Sequence, residues 1–172
     1  LALALSLASA AVRPAQTQQP MSEAALKAAF LVNFARFTDW PPGDPPAAAD
    51  LTFCVYDPAV HDALAAIAAG QTVGARRLAV VRIAVTEAVP RVCSLAYFGG
   101  LSGREAQQVA QALRGTAVLS VGDSADFTRA GGIIHFFLEG GRMRFAVNID
   151  AAERARLRLS SKLLSLARIV RG

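Results

Sequence analysis

Apolar positions set the first element of the chain. Leu26, Phe30, Phe34 and Phe37 recur at three- and four-residue intervals, so they share one face of a helix that Ser22 can cap. Trp40-Pro41-Pro42 ends it, because Pro41 disfavours helical geometry at Trp40, and a Pro/Ala/Asp loop runs on to Asp50. Residues 51–56, Leu-Thr-Phe-Cys-Val-Tyr, read as a strand. Asp57 then caps a second helix with Pro58 in its first turn, Val60, Leu64 and Ile67 as its inward stripe and Gly70 at its end. Residues 78–85 are β-branched and largely apolar, the pattern of a strand covered on both faces inside a sheet.

Strand and helix continue to alternate. Residues 94–98 form a short strand; Ser102 and Glu105 stand at capping-box spacing before a helix whose Ala106, Val109, Ala110 and Leu113 face the core until Gly115. Residues 116–121 give another strand, and Gly122-Asp123-Ser124 turns into a short helix around Phe127 that Gly131-Gly132 ends. Residues 133–138 and 142–149 flank Glu139-Gly140-Gly141 as a β-hairpin, with Met143, Phe145 and Val147 on the buried face and Arg142, Arg144 and Asn148 on the polar one. Residues 160–170 fit a C-terminal helix, with Leu163, Leu164, Ala167 and Val170 inward and Lys162 and Arg168 in water. The expected fold is a single-domain α/β sandwich with a mixed sheet of about six strands flanked by helices, ending in the hairpin and that helix.

Composition narrows the class. A chain of 172 residues that is 53% hydrophobic and 18% charged builds an ordinary core and is neither disordered nor collagen-like. Its net charge of +5 comes from scattered cations without interleaved stacking aromatics, so nucleic acid is not an expected partner. Residues 1–10, uncharged, apolar and closing on Ala8-Ser9-Ala10, read as the remnant of an export signal, residues 11–21 as a linker and residues 22–172 as the folded domain. Export alters the reading of Cys54 and Cys93, which neighbouring strands can present to each other. A disulfide between them is favoured over two separate buried thiols, and closing that loop is worth roughly 4 kcal/mol in the chain-entropy model.

Catalytic signals are sparse, and no enzymatic activity, cofactor or metal is expected. There is no Gly-x-Ser-x-Gly elbow, phosphate loop or HExxH. His135 alternates with apolar neighbours inside a strand, His61 lies near an exposed helix start, and Asp123 and Asp126 read as turn and cap residues. Gly99-Gly100-Leu101-Ser102-Gly103 precedes a helix but lacks the spacing of a dinucleotide motif. A basic end remains: Arg154, Arg156, Arg158, Lys162, Arg168 and Arg171 oppose only Glu153 after residue 150. That end is either a solvated face or an attractor for an acidic partner or anionic surface. Arg142, Arg144, Asn148 and Arg158 are the candidate ligand- or partner-binding residues.

Ala28-Ala29-Phe30-Leu31-Val32-Asn33-Phe34-Ala35-Arg36-Phe37-Thr38-Asp39-Trp40-Pro41 resembles the opening of the YfiR/HmsC family. Three later blocks, Gly131-Gly132-Ile133-Ile134, Gly141 through Asn148, and Leu159-Ser160-Ser161-Lys162-Leu163-Leu164, resemble that family's blocks in order. The resemblance implies a periplasmic, often dimeric α/β regulator. It would bind the periplasmic part of an inner-membrane diguanylate cyclase, lower cyclic-di-GMP synthesis and restrain biofilm formation, with release on stress or through capture by an outer-membrane lipoprotein. It also implies that Cys54 and Cys93 form the structural disulfide. The second cysteine pair of some members is missing, which removes the basis for a two-disulfide redox switch. The competing reading is a periplasmic small-molecule or cell-wall binding module.

Overall fold

The computed structural model describes residues 21–44, 46, 49–84 and 88–172. The expected export signal over 1–10, and the linker apart from Met21, lie outside the described residues. Helix α1 (Glu23–Arg36) is capped by Ser22, whose side chain accepts from the Ala25 N–H, and ends at Phe37, which is exposed rather than part of the inward stripe. Next come β1 (Thr38–Asp39), β2 (Leu51–Val55), α2 (Pro58–Ala68), β3 (Thr72–Val73), β4 (Arg76–Arg82) and β5 (Cys93–Phe98). Helix α3 (Gly103–Ala112), β6 (Leu119–Gly122), β7 (Ile134–Glu139), β8 (Arg142–Asn148) and α4 (Ile149–Arg154) follow, then β9 (Arg158–Leu159), α5 (Ser161–Leu164) and β10 (Arg168–Val170). The caps are those the side chains predict. Asp57 accepts from Val60 at the start of α2, and Ser102 and Glu105 make both bonds of the capping box at α3.

Eight strands form one mixed sheet in the order β10-β8-β7-β6-β5-β2-β4-β3, and β1 pairs with β9 in a separate two-stranded sheet. β4, β2, β5, β6 and β7 run parallel, β8 returns antiparallel across the Gly140-Gly141 turn, and β10 lies parallel to β8. Both turn glycines have φ values, 58° and 74°, that the tight hairpin requires. Strand pleating sends alternate residues to opposite faces. Phe53, Tyr97, Val121, Phe136 and Phe145 join α1 and α2 in one core layer, while Cys54, Ala96, Phe98 and Phe127 join α3 in the other. In the first layer Phe34 packs edge-on to Phe145 with ring centroids 5.0 Å apart and stacks on Phe136 at 5.5 Å. In the second, Cys54 and Cys93 form a disulfide, with Cα atoms 5.7 Å apart.

Four expectations change. The short helix expected around Phe127 is a run of turns between β6 and β7. β4 is not enclosed on both faces: Val81 is 39% exposed, because only the two-residue β3 covers the outer edge of the strand and α3 packs over the sheet centre. In α2 it is Ala68, not Ile67, that completes the buried stripe with Val60 and Leu64. The C-terminal helix is cut to one turn. Ser160 caps α5, after which Arg168, Ile169 and Val170 pair with Ala146, Val147 and Asn148. A β-branched pair beside the open edge of β8 gains ladder hydrogen bonds that a helix there would forgo, so tertiary pairing overrides the helical spacing.

Candidate functional site

Sheet geometry gathers a set of polar side chains at the carboxyl ends of β5 and β6. Asp123 directly follows β6, Tyr97 comes from β5 and Lys27 from the buried side of α1. Lys27 Nζ donates to Asp123 Oδ2 at 2.9 Å and lies 2.8 Å from Glu23 Oε1. The Tyr97 hydroxyl donates to the same Asp123 oxygen at 3.0 Å, and the Gly100 N–H donates to Oδ1 at 2.9 Å. Burial is the largest influence on Asp123 and acts to raise its pKa. Donation from Lys27, Gly100 and Tyr97 outweighs it and leaves the carboxyl below its ordinary value. Burial likewise works first against the Lys27 ammonium, yet its bonds to Glu23 and Asp123 raise its pKa overall. Burial, then the Asp123 charge, push the Tyr97 phenol upward.

A cleft of about 400 Å³ opens beside this network, between Glu23, Lys27, Asp123 and Ala125 on one side and β7 with Met143 on the other. His135 stands in its wall. Burial chiefly lowers its pKa, against the raising effect of Asp123 and Asp126, so the imidazole is neutral at pH 7. The arrangement offers hydrogen bonds and charge beside an apolar wall, which suits binding.

The four sequence-predicted binding residues separate. Arg142 and Arg144 are exposed on the outer face of the hairpin, where Arg144 lies 3.9 Å from Glu139. Arg168 also pairs with Glu139 and sits 4.3 Å over the Phe137 ring. Asn148 lies on the same side of β8 but is buried: its Oδ1 accepts from the Ala151 N–H to cap α4, and its Nδ2 donates to the Thr128 carbonyl at 2.9 Å. Polarity in a strand marks a surface only when the residue is not a helix cap, and α4 begins at the next residue.

Arg158 belongs to the small β1–β9 sheet, opposite Asp39. Beside it a groove of about 630 Å³ runs between Trp40-Pro41-Pro42 and Glu153, Arg156 and Leu157. The Trp40 indole N–H donates to the Ser94 carbonyl at 3.1 Å, which fixes the ring in that wall. Arg156, with φ 58°, is the one non-glycine residue with positive φ among the described residues, a conformation that costs energy and places its side chain at the groove. Lys27 and its partners escaped sequence reasoning because Asp123 is 96 positions away. The available signal was a lysine between Leu26 and Ala28 on a helix stretch otherwise suited to burial.

The fold defines a small α/β domain, one mixed sheet with helices packed on both faces and clefts at its edges. A YfiR/HmsC-like family profile matches residues 24–168, and the chain belongs to that family. A crystal structure of a conserved domain protein from Vibrio cholerae O1 biovar El Tor is similar in fold, with a TM-score of 0.52 at 13% sequence identity. The similarity covers 88% of this chain and 60% of that one.

Proposed function

We propose that this protein is a periplasmic repressor that binds the periplasmic domain of an inner-membrane diguanylate cyclase and lowers cyclic-di-GMP synthesis, thereby restraining biofilm formation. The observation that carries this reading is the family match across residues 24–168. Residues 1–10 would direct export, residues 22–172 would form the regulatory domain, and its role would be binding rather than catalysis. Repression acts by differential affinity: the protein prefers the inactive arrangement of the cyclase and shifts its population. A tenfold preference is about 1.4 kcal/mol, and moving a population from 1:99 to 99:1 needs about 5.5 kcal/mol. Exposed Arg142 and Arg144 on the hairpin and Arg158 at the β1–β9 groove are the cations that would meet an acidic partner. Capture by an outer-membrane lipoprotein, and a homodimeric form, complete the proposed cycle.

The test is co-purification of a co-expressed cyclase periplasmic domain with the full chain, together with cellular cyclic-di-GMP with and without the gene. Binding and a rise in cyclic-di-GMP on deletion are expected; neither, across the membrane cyclases of the host, would remove the reading. An R142A/R144A variant should bind more slowly and lose part of the salt dependence of association. The ligand-module reading is favoured by one feature, the Trp40–Arg156–Arg158 groove, and would gain if R156A/R158A abolished small-molecule binding without altering cyclase output.

A further inference from the structure

β6 and β7 pair at only two positions, Val121↔Ile134 and Gly122↔His135. The chain then turns away at Asp123, while β7 continues through Glu139 against β8 on its other side. Across the hairpin the Asn148 N–H donates to the Ile133 carbonyl. Antiparallel ladders alternate, so His135, Phe137 and Glu139 direct their backbone groups toward β8 and Phe136 and Leu138 direct theirs the other way; the Gly122↔His135 register commits the Phe136 N–H to the Gly122 carbonyl, which leaves the Phe136 carbonyl and both backbone groups of Leu138 facing the side that β6 has vacated. That side is the 400 Å³ cleft. The edge is short and flanked by charge, and Leu138 is 67% exposed beside it.

The geometry points to this free edge of β7 as a docking site for a short extended peptide of a partner protein, one carrying a basic residue between apolar ones. An added strand continues the line of β6, donates to the Phe136 carbonyl, accepts from the Leu138 N–H, and rests its side chains on Phe137, Leu138 and Met143. Charge selects the occupant. Glu23 and Asp123 face the cleft against the single ammonium of Lys27, with neutral His135 opposite, which leaves a net negative site. The inference goes beyond the repressor reading, since any partner could supply the peptide, and a failed cyclase pull-down leaves it standing.

The probe is the acetylated, amidated pentapeptide Val-Arg-Val-Arg-Val, titrated into the isotope-labelled full chain and followed by amide NMR shifts and hydrogen exchange, with Val-Glu-Val-Glu-Val as counterpart. Saturable shifts at Phe136, Leu138 and Gly100, slower exchange of the Leu138 N–H and roughly tenfold weaker binding of the acidic peptide are expected. L138P removes one outward donor without breaking the β8 ladder and should abolish binding, while L138A should retain it within about a factor of three. Should L138P fail to fold, the exchange of the Leu138 amide in the unaltered protein decides the matter. The inference is overturned by no shifts with either peptide, by shifts confined to Arg142, Arg144 and Arg168, by L138P binding as well as the parent, or by edge-to-edge dimerisation without peptide binding.

Discussion

Substituting Lys27 by Met keeps an apolar stem of similar length and withdraws the ammonium that bridges Glu23 and Asp123. Two unit charges 2.9 Å apart, the Lys27–Asp123 distance, attract by about 6 kcal/mol at an effective dielectric of 20. Desolvating each ion costs several kcal/mol, so the net worth of the pair is much smaller than that attraction. Removing one partner is different. K27M leaves the Asp123 carboxylate, with its side chain 22% exposed, supported by Tyr97 and Gly100 alone, and the expected cost is about 3 kcal/mol. Glu23 adds only a few tenths of a kcal/mol, because its side chain is 64% exposed. The K27M/D123N double variant should recover about 2 kcal/mol relative to additivity. The pH dependence has a definite sign. The folded pKa of Asp123 is lowered, so its contribution is present above the unfolded value and is lost as pH falls through the folded one. Lys27 is raised, so its contribution is present below the unfolded value and is lost as pH rises through the folded one. Both are in force at pH 7. Urea unfolding followed by the fluorescence of the single tryptophan, Trp40, should show the K27M penalty at pH 7 and its decline as the medium is brought toward pH 2. A penalty below about 0.5 kcal/mol at pH 7, or one that does not change with acid, would refute the reasoning.

The other outcomes concern the second core layer. C54A/C93A opens a loop whose ends are 39 residues apart, so stability should fall by about 4 kcal/mol and the melting temperature by about 12 °C; calorimetry showing a drop under about 3 °C would mean the crosslink constrains little. G132A places a Cβ 2.3 Å from the Phe127 ring and should cost about 2 kcal/mol by overpacking. Adding F127L should relieve part of that cost, and strict additivity of the two changes in denaturant would count against the clash as its cause.

Local chemistry made much of the fold legible. The hairpin was readable because Glu139-Gly140-Gly141 supplies both positive-φ positions between two alternating runs, and β7 and β8 pair around that turn. Helix starts were readable because Ser22, Asp57 and Ser102 act on backbone N–H groups three residues away. The candidate site was much less so. Asn148 lies on the expected side of β8 but buried instead of exposed, since a cap and a surface residue look alike in a strand pattern. Lys27 and Asp123 each read plausibly alone and acquire a role only through each other.

The order of residues alone determined the caps of α1, α2 and α3, the hairpin turn, the alternating strands and the family blocks, because these depend on groups within a few positions of one another. Tertiary structure decided that Arg168–Val170 extend along β8, that β4 stays half open, and that Lys27, Tyr97 and Asp123 meet at the ends of β5 and β6. These outcomes turn on which edge or buried charge lacks a partner once the sheet has assembled. That is a property of distances between residues far apart in the chain, and no local pattern encodes it.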